Sequence, residues 1–213
     1  MILYDYFRST ACYRVRIALN LKNIAYEKKE IHLIHHGGAQ NTSEYKSINP
    51  QGLVPSLEVN GHLIHQSLAI IEYLDEIHPN TPLLPKDPLL KATLKSLALI
   101  IACDMHPLNN LRVLNRLRDQ FNAQEEDVMA WYHHWLKTGF DAFEAGLNRL
   151  ERTKPLCSGN EVSLADLCLI PQVYNAHRFN FSMMDYPLIM AINDYCMTLP
   201  AFQEASPKET PLT

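Results

Sequence analysis

The sequence predicts two domains of different class: an α/β N-terminal domain with the order βαβ, short helix, ββα over residues 1–80, and an all-helical domain over residues 88–213, with a linker at 81–87. Three observations carry this. Short apolar runs alternate with helical patterns up to residue 80; helical periodicity dominates after it; and Pro79, Pro82, Pro85 and Pro88 deny a continuous helix in between. A chain of 213 residues, 47% of them hydrophobic, has the material for one or two sizeable cores.

Each element has a local reason. Ile2 to Tyr6 is a short aromatic and aliphatic run suited to a strand, and Ser9-Thr10 place hydroxyl residues ahead of a helix whose apolar face is Val15, Ile17, Ala18 and Leu19, with Asn23 as its stop. Tyr26 to Leu33 reads as a second strand closed by Gly37-Gly38. Ser43 to Ser47 forms a short helix before the turn cluster Asn49-Pro50-Gln51-Gly52. Asn60-Gly61 joins the runs Val54–Val59 and His62–Ile64, the strongest short hairpin signal. Gln66-Ser67 then opens a helix through Leu68, Ile70, Ile71, Tyr73 and Leu74.

Beyond the prolines, one helix is expected from Leu89 to Leu117, bent at Pro107, followed by helices at Glu125–Leu150, Leu164–Ala176 and Leu188–Leu199. Ser163 and Asp166 have the spacing of a capping box. The tail from Ser206 is polar and proline-broken and is expected to fray.

Composition excludes several classes. With 19 basic against 23 acidic residues the net charge is −4, so no broad basic face is expected and nucleic acid is not an expected partner. The longest apolar stretches are too short to span a bilayer. Met1-Ile2-Leu3 runs at once into Tyr4, Asp5 and Arg8, unlike a secretory leader. Five scattered cysteines without a C-x-x-C fit a reducing compartment, and a cytoplasmic location is expected.

Three segments can carry chemistry. A helix start at Ser9-Thr10-Ala11-Cys12 presents unpaired N–H groups that stabilise an anion such as a thiolate, with Arg14 or Arg16 adding to the field; equally, Ser9 or Thr10 simply caps the helix. Cys12 reads either as a nucleophile or as a small buried hydrophobe, and Ser9 stands where a dithiol oxidoreductase needs cysteine. Val54-Pro55 entering a strand is an edge proline or a cis turn that aims the Val54 backbone at a peptide-like ligand. Gln66-Ser67 is a second helix start, able to hold a carboxylate or only to cap. Ten histidines, including His32, His35, His36, His133 and His134, show no convincing ligand spacing, so no metal is expected. Dinucleotide, P-loop and G-x-S-x-G motifs are absent.

Taken together, Tyr6-Phe7-Arg8-Ser9-Thr10-Ala11-Cys12-Tyr13-Arg14-Val15-Arg16-Ile17-Ala18-Leu19, Asn49–Pro55, His65–Leu74, His106–Leu111 and Leu164–Val173 resemble, in order and across nearly the whole chain, the zeta class of glutathione transferases. The resemblance implies the glutathione transferase fold, with a thioredoxin-like N-terminal domain, a helical C-terminal domain and a homodimer. It implies glutathione as cofactor. By the same resemblance Ser9, together with Thr10 and Arg14, is expected to favour the thiolate, Val54 ahead of cis-Pro55 to pair with the cysteinyl part, Gln66 and Ser67 to hold the γ-glutamyl end, and His106 to lie near glutathione. Arg8 and Arg178 match positions for the carboxylates of a small dicarboxylate or keto-acid substrate.

The implied reaction is glutathione-dependent cis–trans isomerisation of maleylacetoacetate to fumarylacetoacetate in phenylalanine and tyrosine breakdown. Maleylpyruvate isomerisation, transfer or dehalogenation on small α-haloacids, and a non-catalytic binding module are the alternatives. The chain departs from the commoner Ser-Ser-Cys in reading Ser9-Thr10-Ala11, which moves the cysteine on by one. One helical residue turns a side chain by about 100°, so Cys12 is not expected to share the pocket of the sulfur.

Overall fold

The computed structural model describes residues 1–34 and 37–208. Along the chain lie β1 (Ile2–Asp5), α1 (Thr10–Leu21), β2 (Glu27–Glu30), a 3-10 turn (Ala39–Asn41), α2 (Ser43–Ile48), β3 (Ser56–Val59), β4 (His62–His65), α3 (Ser67–Ile77), α4 (Pro88–Leu99), a π-helical segment (Ile100–Met105), α5 (Leu111–Phe121), α6 (Glu125–Leu147), α7 (Leu164–Arg178), α8 (Pro187–Cys196) and α9 (Pro200–Ala205). Contacts divide these into two units, Met1–Pro82 with the segment from Leu199 on, and Leu83–Thr198.

The first unit is built on a sheet ordered β2-β1-β3-β4. β1 and β2 are parallel, which requires a crossover, and α1 supplies it. The antiparallel pairs place Leu3 opposite Leu57 and Leu57 opposite Ile64. Leu3 and Leu57 are buried with Val15, Ile17 and Leu19 of α1 and with Ile70, Ile71 and Leu74 of α3. Asn60 and Gly61 both take positive φ, 51° and 78°, as the two-residue hairpin demands. Asn23, at φ 52°, ends α1 by leaving the helical region. Lys22 then ties helix ends together, its Nζ donating to Asp75 Oδ1, His78 O and Thr81 O at 2.8–2.9 Å.

α9 has no counterpart in the sequence reading, which assigned these residues to the helical domain. It packs on α1 through polar side chains. Tyr13 Oη, Arg16 Nε and Asn20 Nδ2 donate to the carbonyls of Phe202, Ala205 and Ala201 at 3.2, 2.9 and 3.1 Å. Residues 13, 16 and 20 share one helix face. Apolar periodicity is blind to these hydrogen bonds, because their attraction is between side-chain donors and main-chain acceptors, although Phe202 and Ala205 of α9 are buried as well.

In the second unit Asp87 caps α4, accepting the Leu90 N–H at 2.7 Å, and Pro88 takes the first helical position. The single bent helix expected over Leu89–Leu117 is instead two. The π-helical segment widens the end of α4, residues 106–110 break it, and Asn110 caps α5 by accepting the Arg112 N–H at 3.1 Å. Pro107 has no N–H to continue the ladder, and Asn110 offers a fresh start. The capping box forms: Asp166 accepts from the Ser163 N–H at 2.8 Å and also from the Cys157 N–H at 2.9 Å. α7 runs on through Pro171 to Arg178. The Glu144 carboxylate on α6 accepts the N–H groups of Leu188 and Ile189, capping α8 from a neighbouring helix. Leu136, Phe140, Phe143, Leu167 and Ile189 fill the core.

Candidate active site

The chain leaves β1 at Asp5 and turns so that the Ser9 N–H donates to Tyr6 O at 2.9 Å. Ser9 is half-buried, and its Oγ accepts the Cys12 N–H at 3.3 Å, making it the N-cap of α1. Capping uses the oxygen as an acceptor and does not consume the hydroxyl proton, so cap and thiolate donor are compatible roles. Thr10 is buried behind it. The turn is held by Arg16, which donates to Asp5 Oδ1 at 2.6 Å and to Phe7 O at 3.0 Å. Cys12 is fully buried; burial first, and the nearby Asp5 carboxylate second, push its thiol far above the ordinary range, against smaller opposing contributions from Ser9 and Arg16. Such a thiol is inert.

Arg14, by contrast, points its hydrogen bonding at α3. It is 2% exposed, Nη1 donates to Ser67 Oγ at 3.3 Å, and Nε and Nη2 are buried without a hydrogen-bond partner among the described residues. A buried guanidinium so poorly matched calls for an anion. The start of α3 is where one fits. Gln66 sits at φ 71° with no side-chain cap on the helix, and its Nε2 donates to Gln51 Oε1 at 2.8 Å. Ser67 is buried, and since its Oγ accepts from Arg14, its proton is available to donate.

The third edge is Val54. The Val54–Pro55 bond is cis, and the ladder begins at Ser56, opposite Tyr4, leaving the Val54 peptide groups outside it. The preceding carbonyl is held twice: Leu53 O accepts from Asn49 Nδ2 at 2.7 Å and from Tyr45 Oη at 2.8 Å. Tyr45 Oη also lies 3.3 Å from Ser56 Oγ, and burial pushes its hydroxyl up to about 12. A backbone edge pinned in this way accepts an extended peptide strand. Ser9 thus offers a hydroxyl, Val54 peptide groups outside the ladder, and the Arg14–Ser67 pair a buried positive charge.

Tyr45, Asn49 and Arg16 were not singled out by sequence for these roles. Asn49 left a signal only in its turn cluster, and Arg16 only as a charge at the α1 start. Arg8 stacks its guanidinium 5.0 Å from the Phe7 ring. In the helical unit His106 follows the π-helical segment, its N–H reaching Ile101 O at 2.9 Å. The residues after it are docked on α6: Trp131 Nε1 donates to Leu108 O at 2.9 Å and Asn109 Nδ2 to Tyr132 O at 3.0 Å. Arg178 ends α7, exposed, over the Phe179 ring. Among the described residues no group of three or more His, Cys, Asp or Glu could hold a metal ion, and no helix is long and apolar enough to cross a membrane. His35 and His36 lie outside the described residues, as do residues 209–213 of the tail.

A four-stranded mixed sheet with helix starts at both Ser9 and Ser67 and a cis proline between them is the architecture of a glutathione transferase N-terminal domain, and the family model of that domain matches residues 3–82. A probable maleylacetoacetate isomerase of Vibrio cholerae is 45% identical over 99% of this chain and 97% of its own. A maleylpyruvate isomerase of Ralstonia sp. is 42% identical over 99% of both. Among solved structures, a glutathione S-transferase from Legionella pneumophila is 68% identical with a TM-score of 0.87, over 98% of this chain and 100% of its own. A holo zeta-class maleylpyruvate isomerase is 41% identical, with a TM-score of 0.95 over 99% of both chains. A maleylacetoacetate isomerase from Methylobacterium extorquens AM1, solved with malonate and glutathione, is 37% identical with a TM-score of 0.94, over 99% of this chain and 98% of its own. The chain belongs to the zeta-class glutathione transferases, in the branch of the maleylacetoacetate and maleylpyruvate isomerases.

Proposed function

We propose that this protein catalyses the glutathione-dependent cis–trans isomerisation of maleylacetoacetate to fumarylacetoacetate. The observation that carries the reading is Arg14: a buried guanidinium with two unmatched nitrogens behind Ser67, in a chain whose full-length relatives are isomerases of this branch. Glutathione, when bound, supplies the thiolate that adds reversibly to the conjugated double bond, so that the bond rotates while single. The protein's own groups then have separable tasks. Ser9 donates its hydroxyl proton toward the sulfur, and the α1 N-terminus and its dipole lower the cost of negative charge there. Thr10 packs beneath it. Val54 offers its peptide groups to the tripeptide backbone ahead of Pro55. Gln66, Ser67 and the α3 N-terminus hold the γ-glutamyl carboxylate, with Arg14 balancing its charge.

Arg14 is therefore assigned to that carboxylate through Ser67, and its effect on the thiol acts at long range. His106 keeps the glutathione-side role that resemblance suggests, and Arg8 and Arg178 those of binding substrate carboxylates. The enzyme is further read as a cytoplasmic homodimer, with a linker at 81–87 between an N-terminal domain, which the segment from Leu199 on joins, and a helical domain that begins at residue 88.

Purified protein assayed with glutathione on maleylacetoacetate and maleylpyruvate tests the reading. Higher kcat/KM on maleylacetoacetate supports it. Higher kcat/KM on maleylpyruvate favours the second reading, which the 0.95 TM-score to a maleylpyruvate isomerase motivates. Turnover only of small α-haloacids, or none, overturns both.

A further inference from the structure

Arg178 stands out in the helical unit because its charge is exposed and makes no hydrogen bond or ion pair among the described residues, yet it lies on a built support. Its guanidinium carbon is 4.9 Å from the centre of the Phe179 ring. That ring is in turn 4.0 Å from the Tyr132 ring, tilted by 32°. Tyr132 is 1% exposed, at the heart of α6. Phe179 is held from its backbone side as well, its carbonyl accepting from His133 Nε2 at 2.8 Å. Tyr132 anchors a third segment, because its carbonyl accepts from Asn109 Nδ2. The Tyr132 hydroxyl is pushed up by burial, and the Arg178 charge opposes this, which places the two within electrostatic reach.

We propose that Phe179, backed by Tyr132, is a positioning residue that holds the Arg178 guanidinium in place for a substrate carboxylate, a role that rests on the carboxylate-binding reading of Arg178. An unsupported arginine at a helix end samples many rotamers and must be ordered when an anion arrives. Stacking on a fixed ring through the quadrupole face orders it beforehand and leaves its fork of N–H donors at the edge free. The affinity for a carboxylate then depends on a ring that never touches it.

The experiment is steady-state kinetics of the full-length enzyme on maleylacetoacetate at saturating glutathione, with glutathione binding followed by calorimetry. Phe179→Leu is expected to raise KM roughly 3- to 10-fold, the scale of one partly exposed cation–π contact, with kcat changed less than about twofold and glutathione affinity unchanged. Phe179→Tyr, which keeps the ring, is expected to restore the wild-type KM. Phe179→Met, near in volume but without a quadrupole, replaces the leucine variant if that one does not fold. Arg178→Gln is expected to raise KM by about tenfold or more, and adding Phe179→Leu to it to change KM no further.

If Phe179→Leu raises KM by the same factor with or without Arg178, or leaves KM unmoved while Arg178→Gln raises it, the positioning role is overturned and the carboxylate role of Arg178 stands. If Arg178→Gln itself leaves KM unchanged, both fall.

Discussion

Replacing Ser9 with alanine separates two contributions of one hydroxyl. As a cap it accepts the Cys12 N–H at 3.3 Å, longer than the usual 2.9–3.0 Å, so the lost capping sits near the lower end of the usual range, about 0.5–1 kcal/mol. That corresponds to a fall in Tm of about 1–4 °C for a chain of this size. As a donor to a thiolate it makes a hydrogen bond to a charged group, worth roughly 1.5–3 kcal/mol. At 1.36 kcal/mol per unit, the pKa of bound glutathione then rises by about 1–2 units in the variant. Ultraviolet titration of the thiolate in the complex measures the second effect, and thermal unfolding of the free protein measures the first. Turnover is expected to fall most near neutral pH and to recover partly in alkali, with glutathione affinity little changed. Ser9→Thr, which keeps a capping hydroxyl, should retain most of both. A titration of Ser9→Ala that superimposes on wild type, alongside the expected loss of Tm, would mean that Ser9 is only a cap and that ionisation is the work of the α1 terminus, Thr10 or Arg14.

Cys12→Ala is expected to keep turnover within about tenfold of wild type, or about 1.4 kcal/mol of activation free energy, because its buried thiol is held protonated; native enzyme should likewise resist thiol alkylation at Cys12, read by peptide mass spectrometry. Arg14→Met removes a buried, half-matched charge, so the free protein should unfold about 1–3 kcal/mol later in urea, while calorimetry shows glutathione bound about tenfold or more weaker; a variant weakened in stability with normal binding contradicts the assignment. Arg16→Ala leaves the buried Asp5 carboxylate with only Lys28, 3.4 Å from its Oδ2, and releases Phe7 O and Ala205 O, so a stability loss of about 3 kcal/mol, the lower end for breaking a buried pair, is expected in chemical denaturation. Tyr45, with its hydroxyl pushed up to about 12 from an ordinary 10, ionises later in the folded than in the unfolded chain. Folding therefore loses its contribution as pH rises from 10 through 12, and the alkaline fall in stability should be shallower in Tyr45→Phe.

Local chemistry made much of the molecule legible in the sequence. Asn60-Gly61 admits a hairpin because both residues tolerate positive φ, Ser163 and Asp166 can satisfy each other's orphan groups wherever they are placed, and closely spaced prolines at 79, 82 and 85 deny a continuous helix between α3 and α4. For the same reason Ser9 and Ser67 were visible as helix starts. The partners of polar side chains were not. Arg14 meets Ser67 across 53 residues, Tyr45 and Asn49 close on the carbonyl of Leu53, and α1 captures α9 through hydrogen bonds that span up to 189 residues. The expected helix over Leu89–Leu117 failed on the same ground, since its apolar pattern is continuous while Trp131 and Asn109 dock the break at residues 106–110 onto α6. Periodicity reports which face of an element avoids water, a one-body property written residue by residue. Which donor finds which acceptor is a two-body property that exists only once the chain has closed on itself, so the sequence alone determined the elements and their caps, and tertiary structure decided how Arg14, Leu53 and Arg178 are held.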